Sequence, residues 1–71
     1  MQRLPVVLVE NCDDGYAVVA MLSNRKWRQG GIRTRLQADE VSDNLVRQLA
    51  RAWEKGNDVI AVLDLWEQDE S

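Results

Sequence analysis

The sequence predicts an α+β fold: a four-stranded, mostly antiparallel sheet in the order β-β-β-α-β, with one helix packed on one face. Three features carry that expectation. From Ala38 to Gly56 apolar residues return every three or four positions, the period of an amphipathic helix. Elsewhere β-branched and aliphatic residues run in short stretches that suit strands. Asp14-Gly15 and Ser23-Asn24 punctuate those stretches as turns.

The first strand is Leu4 to Glu10, apolar on both alternating sets, with Pro5 at its start where a missing N–H does least harm. A turn over 11–15 and a second strand, Tyr16 to Leu22, complete a hairpin. After Ser23-Asn24, Lys26 to Arg28 can begin a third strand, and Gly30-Gly31 marks a bulge or a second turn. From Ile32 the alternation is clean. Ile32, Thr34 and Leu36 share one side, Arg33, Arg35 and Gln37 the other, which reads as a half-exposed strand.

In the helix, Val41, Leu45, Leu49, Ala52 and Trp53 form the apolar side, opposite Asp43, Arg47, Arg51 and Glu54. Asp39 or Ser42 is the candidate N-cap, and Gly56 suits a left-handed C-terminal cap. Asp58 to Trp66 is the most hydrophobic stretch and reads as a fourth strand. It is expected beside the first, parallel to it, after a right-handed crossover. Residues 66–71 read as a frayed acidic tail.

A chain of 71 residues makes a single domain, 1–71, that must use nearly every apolar side chain it has. Its 45% hydrophobic and 30% charged residues are ordinary for a globular protein. One cysteine excludes an internal disulfide and fits a reducing compartment. The N-terminal apolar run is too short for a signal peptide and no stretch reaches spanning length, so the expectation is a cytoplasmic protein with no membrane partner.

Catalytic chemistry is poorly represented. Cys12 has no histidine to activate it, and Glu10, Asp13 and Asp14 nearby disfavour a thiolate, so an inert turn cysteine is the better reading. Those acids with Gly15 lack the alternating oxygen ligands of a calcium loop. Asp64 interrupts an apolar run, which fits a rim position or a pair with Arg33 or Arg35 better than acid/base work. The expectation is no enzyme, no metal and no cofactor.

Charge is more informative. The net charge is −3, but the signs are segregated. Arg25, Lys26, Arg28, Arg33 and Arg35 form a basic block, while Asp58, Asp64, Glu67, Asp69 and Glu70 make the C-terminus acidic. The asymmetry either steers a partner or pairs with itself in the fold. Trp27 among the cations gives a nucleic-acid alternative, with Arg25, Lys26, Trp27, Arg28, Arg33 and Arg35 as contacts. Its bland counterpart is a tryptophan filling the core edge.

Counting faces gives a further candidate. One helix covers one side of a sheet, yet several strands are apolar on both sides. With Leu4, Val6, Leu8, Ile32 and Leu36 toward the helix, Val7, Val9, Val19, Met21 and Trp66 are left on an open face, a protein-binding surface.

The stretch PVVLVENCDDGYAVVAML resembles the start of HicB-type antitoxins, which share an acidic turn ending in Gly-Tyr; the Gly-Cys and Gly-Asp-Thr elements of that family are absent. The resemblance implies a β-β-β-α-β order, dimerisation and a toxin ribonuclease as partner. At the level of architecture, a small acidic α+β chain is also similar to phage-encoded inhibitors such as anti-CRISPR proteins. That likeness implies occupation of a surface on a host defence complex, with Asp58, Asp64, Glu67, Asp69 and Glu70 as charged contacts. The expectation is thus a non-enzymatic protein-binding inhibitor of a nucleic-acid-handling complex. The alternatives are an antitoxin-like module or a small RNA- or DNA-binding domain. A homodimer through the open face or an edge strand is expected as well.

Overall fold

A computed structural model describes residues 3–68. Among them the chain is α+β, with a three-stranded antiparallel sheet in the order β1-β2-β3 and two helices. The strands are β1 (Val6–Cys12), β2 (Gly15–Leu22) and β3 (Arg25–Ile32), followed by α1 (Arg35–Glu54) and α2 (Val59–Gln68). The four-stranded sheet and the β-β-β-α-β order are therefore corrected, and the parallel crossover with them. No helix among the described residues is long and apolar enough to cross a membrane.

The meander closes with short turns. Cys12 pairs with Gly15 and Leu22 with Arg25, so Asp13-Asp14 and Ser23-Asn24 each form a two-residue connection. Gly15 has φ +141°, and a Cβ built there would lie 2.2 Å from the carbonyl oxygen of Ile32, so no other residue fits without moving backbone. Between β2 and β3 the register slips: Val18 faces Gln29, but Tyr16 faces Ile32. The extra residue lies at Gly30-Gly31, with Gly31 at φ +73°.

That bulge explains the misplaced third strand. It exchanges faces, so Ile32 points inward together with Trp27 although their spacing is odd. The strand then ends. Thr34 is the N-cap of α1 and its hydroxyl accepts from the Gln37 N–H at 3.1 Å. The expected caps Asp39 and Ser42 lie inside the helix, and Leu36, expected in the core, is exposed in its first turn. Alternation over 32–37 belongs to a strand end and a cap, where it carries no period.

The other end of α1 has the expected glycine terminator, although Trp53, expected on the apolar side, is 46% exposed. Gly56 has φ +74° and donates to the Trp53 carbonyl, while the Asn57 N–H reaches the Ala52 carbonyl at 2.8 Å. This is the double closure of a Schellman motif. Ala38, Leu45, Leu49 and Ala52 are the buried residues of α1.

Asp58 to Trp66 is the largest departure. An apolar run of this length fits a strand or a buried helix equally well. Here Asp58 accepts from the Ile60 N–H at 3.0 Å through its carboxylate, an N-cap that starts α2. Val59 and Leu63 then fall on one buried stripe with Trp66 against the core, while Leu65 faces outward. The helix extends to Gln68, so residues 66–68 are not a frayed tail. Asp69 and Glu70 lie outside the described residues.

The core sits between one face of the sheet and the two helices. Val18, Ala20 and Trp27 meet Ala38, Leu45, Leu49, Ala52, Val59 and Leu63. Trp27, 2% exposed, is among the largest fully buried side chains, and Ala20 directly beside it leaves room for its ring. Trp27 inside decides the parity of the whole sheet.

Candidate functional site

Among the described residues one ion pair, Arg25–Asp64, joins the basic block to the C-terminal segment. The Asp64 carboxylate accepts from the Trp27 indole N–H at 2.8 Å and from the Arg25 guanidinium at 3.3 Å. Arg25 in turn lies 4.7 Å over the Trp27 ring. Glu67 accepts from the Arg28 backbone N–H at 3.0 Å, and Gln29 donates to the Trp66 carbonyl. Along its length α2 is thus clamped beside β3. Glu67 occupies an amide on the outer edge of that strand, which blunts the edge against strange partners.

These contacts correct several candidate residues. Asp58 is a helix cap, while Asp64 and Glu67 hold α2 to the sheet, so none of the three stands as an unengaged carboxylate. Trp27 is buried and bonded, so it cannot stack on a base. Arg35 pairs with Asp39 and Arg25 with Asp64, whereas Lys26, Arg28 and Arg33 are exposed elsewhere. The basic block is dispersed.

Asp64→Ala is expected to lower stability by about 1–2 kcal/mol, because the indole N–H loses its partner in a partly buried place. Asp64→Asn keeps an acceptor and should lose less. Urea denaturation of the two variants separates hydrogen bond from charge.

The open face of the sheet exists, with a different membership. Val7 and Val9 pack against the core, as does Trp66. The face away from α1 carries Val6, Leu8 and Glu10 from β1, Ala17, Val19 and Met21 from β2, and Lys26 and Arg28 from β3. Leu8 and Val19 are cross-strand partners and must share a face, so Val6 and Leu8, expected inside, are outside. Of the five residues expected there, Val19 and Met21 remain.

Val19 and Ala17 are on this outer face yet fully buried. The Arg28 side chain lies across this face. Its guanidinium reaches the Cys12 sulfur at 3.1 Å, from the third strand to the first, so its stem must cross the central strand. A Cβ at Gly30 would come within 2.9 Å of the same guanidinium, so the glycine lets the side chain lie flat. What stays accessible is an apolar end of the sheet, with Val6 59% and Met21 38% exposed beside partly covered Leu8 and next to Lys26, while the Arg28 guanidinium lies at the Cys12 end.

A second concavity, an open groove of about 520 Å³, runs between α1 and α2. It is lined by Gln48, Arg51, Ala52, Lys55, Asn57, Val62, Leu65 and Trp66. Its two ionisable side chains are both cations and offer no acid–base pair. Among the described residues no group of three or more acidic, cysteine or histidine side chains is placed to hold a metal.

No protein-family model matches this sequence, and neither curated proteins nor solved structures yield a match.

Proposed function

We propose that the chain is a non-enzymatic protein-binding protein that acts by covering a partner's surface with the outer face of its sheet. The observation that carries this reading is the apolar end formed by Val6, Leu8 and Met21 beside Lys26, on a face that carries the Arg28 guanidinium at its other end. An uncovered apolar sheet face on a small domain is costly to leave in water and characteristic of interfaces. Cations at both ends of the face favour a partner whose contact surface is apolar with acidic groups around it.

Inhibition of a nucleic-acid-handling complex, the role suggested by the likeness to phage-encoded inhibitors, is the form we favour. It works here by steric cover and not by carboxylate mimicry, because Asp64 and Glu67 are taken up by β3. The test compares wild type with Leu8→Lys and Met21→Lys as baits in cell lysate. A partner captured stoichiometrically by wild type should bind each variant at least ~30-fold more weakly, the effect of a charge placed at an interface centre. Equal capture by the variants rejects this face, and no partner rejects the reading. A captured ribonuclease would select the antitoxin-like version. Salt-sensitive binding of labelled DNA or RNA lost with Arg28→Glu would select the nucleic-acid alternative.

A further inference from the structure

We infer that the protein pairs with a second copy of itself along β1, with α1 of each copy packed beside the other. This surface is distinct from the outer face and stands without it.

The two edges of the sheet are treated differently. On β3, Glu67 accepts from an outward amide and α2 runs alongside. On β1 the described residues supply nothing comparable. The two-residue turn makes Cys12 and Gly15 a hydrogen-bonded pair, after which bonded and non-bonded pairs alternate. Cys12, Glu10, Leu8 and Val6 therefore bond to β2, while Asn11, Val9 and Val7 aim their N–H and C=O groups away from the sheet. The same count from the Leu22–Arg25 pair turns the Arg28 N–H outward, where Glu67 meets it.

The deterrents to pairing within β1 amount to a single charge, Glu10. Its register with β2 is unbroken, it has no lysine, and Pro5 lies before its first residue. It is also self-complementary. With Val9 on a two-fold axis, Val9 faces Val9 and Val7 faces Asn11 of the second copy, so each outward amide meets an outward amide. Glu10 then faces Leu8, and no carboxylate is set directly opposite another.

The helix layer agrees. The flank of α1 toward α2 carries Gln48, Arg51, Ala52 and Lys55, and α2 sits at the β3 side. The opposite flank, on the β1 side, carries Ser42, Val46 and Ala50 together with Trp53 and the Arg35–Asp39 ion pair, with Val46 47% and Trp53 46% exposed. α1 packs against both β1 and β2. With strands about 4.8 Å apart, a helix seated midway over that pair would stand about 5 Å from the two-fold and about 10 Å from its copy. Helices pack at about 8–10 Å, depending on the side chains between them.

Sedimentation equilibrium across the micromolar range should show a mass rising toward twice the 8.1 kDa chain. Over the same range amide exchange at Val7, Val9 and Asn11 should slow. Val46→Glu sets like charges against each other on an exposed flank, and Asn11→Pro removes an outward N–H without touching the β1–β2 bonds. Each should raise the dissociation constant at least ten-fold with the circular dichroism spectrum retained, whereas Met21→Lys should leave dimerisation unchanged. A monomer at every concentration overturns the inference, including the case in which another protein donates the strand. So does a dimer whose Val7 and Val9 amides exchange freely, or one broken by Met21→Lys and indifferent to the other two.

Discussion

Trp27→Ala is expected to remove most of the protein's stability. Replacing a buried tryptophan with alanine costs about 3–5 kcal/mol through lost transfer energy and the cavity left behind. A domain of 71 residues has about 4–10 kcal/mol to lose at the usual ~0.05–0.15 kcal/mol per residue. Two further losses follow from this position. Asp64 would lose its indole donor, and Arg25 the ring beneath it, so the clamp between β3 and α2 would loosen together with the core. Trp27→Phe restores most of the apolar volume and leaves the carboxylate without its neutral partner. It should cost about 1–2 kcal/mol, in line with one lost hydrogen bond. Urea denaturation followed by far-ultraviolet circular dichroism gives both numbers. If the phenylalanine variant is as unstable as the alanine one, the hydrogen bond to Asp64 matters more than the packing.

The same tryptophan shows what was legible in the sequence. As a core residue it decides which face of the sheet is inside, whereas its place among cations suits a core filler or a base-stacking contact alike. With that undecided, the alternation also allows Val7 and Val9 to point outward, one position out of register. A period of two tells which residues share a side but never which side is buried when both sets are apolar. The hairpin itself was legible from Asp14-Gly15, the connection at Ser23-Asn24 likewise, and the bulge from Gly30-Gly31. The body of α1 and its glycine cap were legible because apolar period and terminator agree there.

The second helix was not, and for a definite reason. VIAVLDLW presents apolar residues so densely that strand and helix periods both fit. The missed signal was Asp58. After the glycine that ends α1, an Asn-Asp pair before an apolar run is the chemistry of an N-cap. With α2 a helix, Asp64 and Glu67 fall on one flank, and that flank meets β3. Asp58, Asp64 and Glu67 then have partners within the fold, while Asp69 and Glu70 lie outside the described residues. Function therefore rests on surfaces defined by register and topology. The uncovered face belongs to side chains the hairpin turns outward, and the open edge to amides it leaves unbonded.

Gly15→Ala is expected to be nearly as damaging as Trp27→Ala, although it adds a single methyl group. Two costs combine. The φ of +141° lies where an L side chain is strained by about 1–3 kcal/mol. The new Cβ would also sit 2.2 Å from the Ile32 carbonyl, and that oxygen is backbone, which cannot swing aside. Relief requires the end of β3 to separate from the start of β2 at the bulge, where Ile32 reaches the core. A loss above ~3 kcal/mol is the expected result, measured by urea denaturation. Gly30→Ala supplies the contrast. Its Cβ would meet the end of the Arg28 side chain, which can move, so stability should change by no more than ~0.5 kcal/mol. Displacing that guanidinium from Cys12 rearranges the cationic end of the outer face. If the outer face is the binding surface, Gly30→Ala alters partner affinity while the fold holds, a separation that Gly15→Ala cannot give. Equal stability losses at the two positions would mean that Arg28 is as rigid as backbone, fixing the sheet and leaving no adjustable rim.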